Sequence, residues 1–168
     1  VLFTTDANTN DQVSISNTAT VGAGGLNPFY YPNAVFSVAP VSTSNVIIRC
    51  GWMDSITDPP TNGIYIEADS SVDTLWHFVC KTGSGTTKVD SKFVYDVADA
   101  IYRSRIELYN NPGAAANFYM SRPPFNFWGA TTTEDVTTIV TNVPDVTADM
   151  SFVFQIITKG AAAKTMHV

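Results

Sequence analysis

Hydrophobic and polar positions follow a strand-like pattern through the centre of the chain. Residues 46–53 are a compact run rich in β-branched and aromatic side chains, and the turn-forming residues 58–63 follow it. Residues 64–69 alternate between apolar and polar side chains, and residues 74–81 do so again after a second break. Three strands joined by turns predict an antiparallel meander. The first strand should be central and buried on both faces, whereas the second should turn one face to solvent or to a ligand.

Short segments of the same kind recur along the rest of the chain, and none has the apolar spacing of an amphipathic helix. Further strands are predicted at 1–5, 12–16, 34–39, 86–92, 101–109, 116–120, 137–141, 150–158 and 164–168. About ten to twelve short strands predict an all-β fold, an antiparallel two-sheet sandwich or jelly roll. We expect one domain over residues 1–168, with residues 1–32 forming N-terminal strands and an aromatic loop.

Two local patterns refine this expectation. The polar residues 6–11 between the first two strands predict either a hairpin or a loop. Residues 86–92 follow a tight turn at 83–85 and are mostly polar. Lys88 and Lys92 in this segment are typical of an edge strand, because charged side chains discourage pairing with another chain.

The composition limits the classes of partner. Charged residues make up only 14% of the chain although 45% is hydrophobic, so Ser, Thr, Asn and Gly must cover much of the surface, as in many secreted, cell-surface and virion proteins. The formal net charge is −6, and the nine basic residues are scattered. We expect no nucleic-acid partner, because phosphate binding needs clustered Lys and Arg. We also expect no membrane partner, since no apolar run approaches about 20 residues.

Two loops combine proline with aromatic residues, at 26–32 and 121–129. Trp128, Tyr30 and Tyr31 are the candidate glycan-binding residues, because an aromatic ring complements the apolar face of a sugar at little entropic cost. Two alternatives remain open: some of these rings could close the end of the core, or the loops could make subunit contacts, where aromatic residues are enriched. The other two tryptophans lie in predicted strands and should be in the core.

The potential metal ligands are few and dispersed. Neither His77 nor His167 has a second His or Cys at ligand spacing, which argues against a zinc site. Cys50 and Cys80 lie in predicted strands; a disulfide would need a suitable Cα separation, and we expect buried free thiols. We predict no resident metal or cofactor.

Calcium is the one metal ion for which the sequence offers candidate ligands, because several predicted loops carry aspartates. Asp54, Asp58, Asp69 and Asp73 could supply oxygen ligands, although they follow no fixed calcium-binding spacing. The alternative is that they are ordinary solvated loop acids.

The order of landmarks in the chain resembles the concanavalin A-like (laminin G-like) jelly-roll module of tailed-bacteriophage structural proteins. The resemblance covers residues 33–168. The landmarks are Arg49-x-Gly51-Trp52, Gly63-Ile64-Tyr65-Ile66-Glu67, Trp76-His77-Phe78-Val79-Cys80-Lys81, Tyr102-Arg103-x-Arg105-Ile106-Glu107, Phe118-Tyr119-Met120, Asn142-Val143-Pro144 and Gln155-Ile156. Each motif is weak by itself, and their joint order carries the resemblance.

This resemblance implies a location and partners. It implies a non-enzymatic virion structural module of a bacteriophage, such as a capsid decoration, a fibre or a receptor-binding component. Such a module would contact other virion proteins, form a homo-oligomer and in some cases bind a host-surface glycan. The first alternative is a lectin-like carbohydrate-binding domain.

The second alternative is a divergent glycoside hydrolase. Retaining glucanases of this architecture carry paired acids on one strand, with carboxyl groups about 5 to 5.5 Å apart. Glu67 and Asp69 match the first two acids, but the next acid, Asp73, comes one position late and should leave the face. We therefore predict no catalytic residues and no enzymatic activity.

Overall fold

Twelve β-strands form the regular structure of the residues that the computed structural model describes, which are 1–16, 33–56, 59–95, 100–109, 114–122, 134–144 and 150–168. In chain order they are β1 (Leu2–Thr4), β2 (Gln12–Ser16), β3 (Asn33–Pro40), β4 (Val46–Met53), β5 (Gly63–Asp69), β6 (Leu75–Thr82), β7 (Gly85–Val94), β8 (Tyr102–Tyr109), β9 (Ala115–Ser121), β10 (Glu134–Ile139), β11 (Ser151–Thr158) and β12 (Thr165–His167). Across these ranges we find no helix with the length and apolar character needed to span a membrane.

The strands form two six-stranded sheets in which every pair is antiparallel. Sheet 1 has the strand order β1-β12-β3-β8-β9-β10, and sheet 2 has the order β2-β11-β4-β5-β6-β7. Side chains from both sheets share one hydrophobic core. This architecture confirms the predicted all-β, antiparallel two-sheet sandwich.

The predicted meander is present in sheet 2, where β4, β5, β6 and β7 lie side by side. β4 is internal because β11 pairs with its other edge, and all of its residues are buried, as its apolar run predicts. A two-residue turn at 83–84 joins β6 to β7, so residues equally distant from the turn face each other near it. β7 is an edge strand, as its lysines predict.

Aromatic side chains join the two sheets across the core. Phe78 of β6 stacks on Phe118 of β9, with ring centroids 5.2 Å apart and an interplanar angle of 28°. Trp52 and Trp76 belong to the same core and are 5% and 0% exposed. The prediction that these two tryptophans are structural is confirmed.

The first two strands belong to different sheets. β1 pairs with β12 in sheet 1, whereas β2 pairs with β11 in sheet 2. Residues 6–11 therefore form a loop that crosses between the sheets, and the hairpin alternative is wrong. Alternation in two neighbouring segments predicts two strands but says nothing about which partners they choose.

The prediction that one face of β5 is open is wrong. Tyr65 is only 3% exposed and Glu67 only 7%, although both point to the outer face of sheet 2, the face turned away from the core. Tyr65 packs there with Met53, Val79 and Val153 in a second, smaller apolar cluster. The alternating side chains of β5 therefore face two buried environments, the apolar core on one side and a partly polar outer face on the other.

Candidate functional site

A row of polar side chains crosses the outer face of sheet 2. Antiparallel register sets them opposite one another on five adjacent strands, in the order Gln155, Arg49, Glu67, His77 and Asp90. Side chains directly opposite each other in such a sheet have Cβ atoms about 5 Å apart, so neighbours in this polar row can interact. All except Asp90 are buried.

Glu67 is held by two cations at the centre of the polar row. Its Oε2 lies 2.6 Å from Arg49 Nε, and its Oε1 lies 2.9 Å from Lys88 Nζ. Arg49 Nη1 also donates to Gln155 Oε1 at 3.1 Å, and Gln155 Nε2 donates to the carbonyl oxygen of Ile56 at 2.8 Å. The buried charges are therefore paired and hydrogen-bonded, as stability requires.

This geometry does not form the acid pair of a glycoside hydrolase. A general acid must present a proton to the glycosidic oxygen, but both oxygens of the Glu67 carboxylate contact cations. Asp69 Oδ1 accepts hydrogen bonds from the backbone N–H and the hydroxyl of Ser71, at 2.9 Å and 2.6 Å. Glu67 and Asp69 thus stabilise the sheet and the β5–β6 turn.

Next to Glu67 lies an aspartate–histidine cluster, made of Asp73, His77 and Asp90. His77 Nε2 lies 3.1 Å from Asp73 Oδ2 and 3.4 Å from Asp90 Oδ1. The imidazole is buried, whereas the side chains of Asp73 and Asp90 are 37% and 68% exposed. Burial alone would raise the pKa of Asp73, but the hydrogen bond from Leu75 N–H and the charge of His77 outweigh it and lower that pKa.

Three of the four acids considered for calcium, Asp54, Asp69 and Asp73, are described, and they do not form a group of potential metal ligands with one another. Asp58 lies outside the described residues. The Asp54 carboxylate accepts hydrogen bonds from two backbone N–H groups of the β4–β5 turn, at 3.0 Å and 2.9 Å, and Asp69 caps the next turn. Among the described residues, Asp73 belongs to the single group of three potential metal ligands, together with His77 and Asp90.

A second ordered polar surface lies on the outer face of sheet 1. Tyr109 and Tyr119 both donate their hydroxyls to Glu107 Oε2, at 2.6 Å and 3.0 Å. The guanidinium of Arg105 lies 3.8 Å from the centroid of the Tyr119 ring, close enough for a cation–π contact. Arg105 therefore occupies one face of Tyr119, and a sugar could not stack on that face.

No protein-family model matches the chain, and no curated protein matches it either. Solved structures do match the chain in fold. The metal-free form of the Emp46p carbohydrate recognition domain superposes with a TM-score of 0.62 at 7% identity, over 98% of this chain and 78% of that one. The Bacillus licheniformis β-glucanase gives 0.51 at 12% identity, over 94% and 75% of the two chains. The fold is that of the concanavalin A-like sandwich. At these identities the likeness concerns the fold alone.

Within this concanavalin A-like sandwich, the three predicted glycan-binding residues lie outside the described residues. Trp128 falls in the range 123–133, and Tyr30 and Tyr31 fall in the range 17–32. Their role stays a prediction.

The structure also brings together residues that the sequence analysis left apart. Asp90 was not considered as a partner of His77, yet the two face each other across β6 and β7. The sequence already indicates this pairing, because His77 and Asp90 are equally distant from the two-residue turn at 83–84. Asp73 was expected to leave the face that carries Glu67, but its carboxylate reaches His77, the cross-strand neighbour of Glu67.

Proposed function

We propose that this chain is a lectin-like domain that binds carbohydrate without cleaving it. One observation carries the proposal: in a concanavalin A-like sandwich, the carboxylate of Glu67 is buried and paired with both Arg49 and Lys88. Glu67 lies where the resemblance to retaining glucanases would place a catalytic acid. Because Glu67 and Asp69 do not form a usable acid pair, sugar binding is favoured over hydrolysis at this position, and the likeness to a carbohydrate recognition domain supports the same choice.

The proposed ligand-binding residues are Trp128, Tyr30 and Tyr31. Sugar recognition by such loops combines ring faces, which cover the C–H faces of a pyranose, with polar side chains that bind its hydroxyls. Both loops contain proline, which limits the chain entropy lost on binding.

We propose further that the domain serves in a bacteriophage particle, where it would meet other virion proteins and a host-surface glycan. The joint order of sequence landmarks from Arg49 to Gln155 supports this role, as does a surface poor in charged residues. The resemblance to phage modules implies a homo-oligomer, and closed symmetric assembly is the usual form of such oligomers.

A glycan array with the purified chain tests the binding function. We expect wild-type protein to bind at least one glycan class, and Trp128→Ala to lose that binding while retaining its unfolding midpoint. Tyr109→Ala, which removes an exposed tyrosine from sheet 1, is the matched control and should bind as wild type does. Release of reducing sugar by wild type but not by Glu67→Gln would instead support a hydrolase and overturn the proposal.

Light scattering tests the particle role separately. A stable trimer or larger closed oligomer would support a virion component. A monomer would contradict homo-oligomer formation by this chain and would favour a free-standing glycan-binding domain.

A further inference from the structure

We propose that Asp73, His77 and Asp90 bind a divalent transition-metal ion such as Zn²⁺. The three residues converge from the β5–β6 turn, β6 and β7, and their ligand atoms all lie within 4.8 Å of one another. None of these three residues is among the proposed sugar-binding residues, so the proposal does not depend on glycan binding.

The hydrogen-bonding capacity of His77 is the first argument. Nε2 faces two carboxylate oxygens, Asp73 Oδ2 at 3.1 Å and Asp90 Oδ1 at 3.4 Å. A ring nitrogen carries at most one proton, and one proton can make a good hydrogen bond to only one of these oxygens. A cation between the three atoms would contact all of them and would also offset the repulsion between the two carboxylates.

The spacing of the three atoms is the second argument. Zinc binds imidazole nitrogen and carboxylate oxygen at about 2.0–2.2 Å, so two ligands of a tetrahedral ion lie about 3.3 Å apart. The two Nε2–oxygen distances, 3.1 Å and 3.4 Å, lie on either side of this value. Two edges of a coordination face therefore already have zinc-like lengths, and the two carboxylate oxygens lie within 4.8 Å of each other.

The third argument concerns how firmly the ligands are held. His77 is 1% exposed and lies within β6, between β5 and β7. Asp73 Oδ1 accepts a hydrogen bond from Leu75 N–H at 2.8 Å, which leaves Oδ2 turned towards the ring. Asp90 lies directly opposite His77 in the sheet register. For His77 and Asp73, little side-chain ordering would remain to oppose metal binding.

Access and neighbouring charge also suit a metal. Asp90 and Asp73 are 68% and 37% exposed, so an ion can enter from solvent and keep a water as its fourth ligand. The nearby cation Lys88 contacts Glu67 Oε1, at 2.9 Å from its Nζ.

The ligand set selects the class of metal. One imidazole and two carboxylates are ligands of Zn²⁺, Co²⁺ and related ions. Ca²⁺ takes six to eight oxygen ligands, so we expect this cluster to bind it weakly. The proposal departs from the sequence-based expectation of no metal, which rested on the absence of a second His or Cys near His77.

Titration of the chelator-treated full chain with Zn²⁺ and with Co²⁺, followed by calorimetry, tests the proposal. We expect one ion per chain, and for Co²⁺ a visible absorption spectrum typical of tetrahedral coordination. Asp90→Asn should raise Kd about tenfold or more, since even indirect partners of metal sites contribute about 10- to 100-fold. Asp90 is exposed, so this variant should fold normally.

Matched variants separate this cluster from adventitious binding. Asp54→Asn and His167→Ala each remove a potential ligand elsewhere and should leave Kd unchanged. His77→Gln should abolish binding, and its unfolding curve would show whether it folds. Three results would overturn the proposal: no Zn²⁺ or Co²⁺ binding by wild type, binding that survives Asp90→Asn undiminished, or tighter binding of Ca²⁺ than of Zn²⁺.

Discussion

Arg49 and Glu67 form a buried ion pair across β4 and β5, with Arg49 Nε 2.6 Å from Glu67 Oε2. Their side chains are only 7% and 10% exposed. Lys88 completes the arrangement from β7, at 2.9 Å from the other carboxylate oxygen. This carboxylate therefore links β4, β5 and β7 of sheet 2, and its role is structural.

Removing the Glu67 carboxylate should strongly destabilise the protein. Glu67→Ala breaks the buried ion pair with Arg49 and the contact with Lys88, and breaking a buried pair by removing one member typically costs about 3–5 kcal/mol of unfolding free energy. Urea unfolding measures this loss. Lys88→Ala should cost only about 1 kcal/mol, because Lys88 is 28% exposed and water can replace its contact.

The double variant Arg49→Met, Glu67→Leu gives the control for the pair. Replacing both members of a buried pair by apolar residues is often close to neutral. We expect it to recover most of the stability lost in Glu67→Ala. Equal losses in the single and double variants would mean that packing, and not charge pairing, sets the cost.

Much of the local structure could be predicted because period-two alternation and turn chemistry act over short distances. The alternation of residues 102–109 predicts which side chains face the core, and the burial of Tyr102, Ser104, Ile106 and Leu108 confirms it. The turn at 83–84 contains enough information to set the register of β6 against β7.

The pairings between distant segments could not be predicted in the same way. β11 inserts between β2 and β4, and no turn links it directly to either strand. Nor does alternation reveal that polar residues on the outer face of sheet 2 are buried, because the partners of Glu67, Arg49 and Lys88, lie on other strands. The candidate metal site differs in this respect, because Asp73 lies four residues before His77 and the turn at 83–84 sets Asp90 opposite His77. His77 looked isolated in the sequence because its neighbours in the cluster are aspartates and not a second His or Cys.

Gly51 should not tolerate a side chain. It has φ of 152° and lies opposite Tyr65 in β5. A Cβ atom at this position would lie 2.6 Å from Tyr65 Cα and 2.7 Å from Tyr65 Cβ. Because backbone strain and overpacking each cost about 1–3 kcal/mol, Gly51→Ala should destabilise by roughly 3 kcal/mol in urea unfolding.

Gly83→Ala is the matched control for this prediction. The nearest atom to its added Cβ is Thr61 Cγ2, at an ordinary 3.5 Å. We expect a change within about 0.5 kcal/mol, as for other exposed positions. A loss as large as that of Gly51→Ala would show that glycine is needed for the hairpin turn itself.

Cys50 and Cys80 should remain reduced and unreactive in the folded protein. Both are free and buried, which confirms the expectation from sequence, and burial raises the pKa of each thiol. They lie on β4 and β6 with β5 between them, opposite Ile66 and Ile64, so strand spacing alone puts them more than about 9 Å apart, whereas a disulfide needs Cα atoms within about 7 Å. A thiol reagent should label neither residue in native protein and both in denaturant. Labelling of either thiol in native protein, or of neither thiol in denaturant, would contradict this expectation.

Glu107 should couple the stability of sheet 1 to acid pH. The hydrogen bond from Tyr109 lowers the pKa of Glu107, and the hydrogen bond from Tyr119 and the charge of Arg105 add to this effect, which outweighs burial. Because the pKa is lower in the folded state than in the unfolded state, the stabilisation is complete above the unfolded-state pKa. It is lost as pH falls through the folded-state pKa.

Tyr109→Phe tests this coupling, because it removes the strongest hydrogen bond to the Glu107 carboxylate and leaves the ring in place. A carboxyl-carbon NMR titration should show the pKa of Glu107 moving up towards its ordinary value, and urea unfolding should show a smaller loss of stability on acidification than in wild type. Tyr102→Phe is the control, since the Tyr102 hydroxyl donates to Val94 O and does not contact Glu107. An unchanged Glu107 pKa in Tyr109→Phe would mean that Tyr119 and Arg105 suffice to hold the carboxylate ionised.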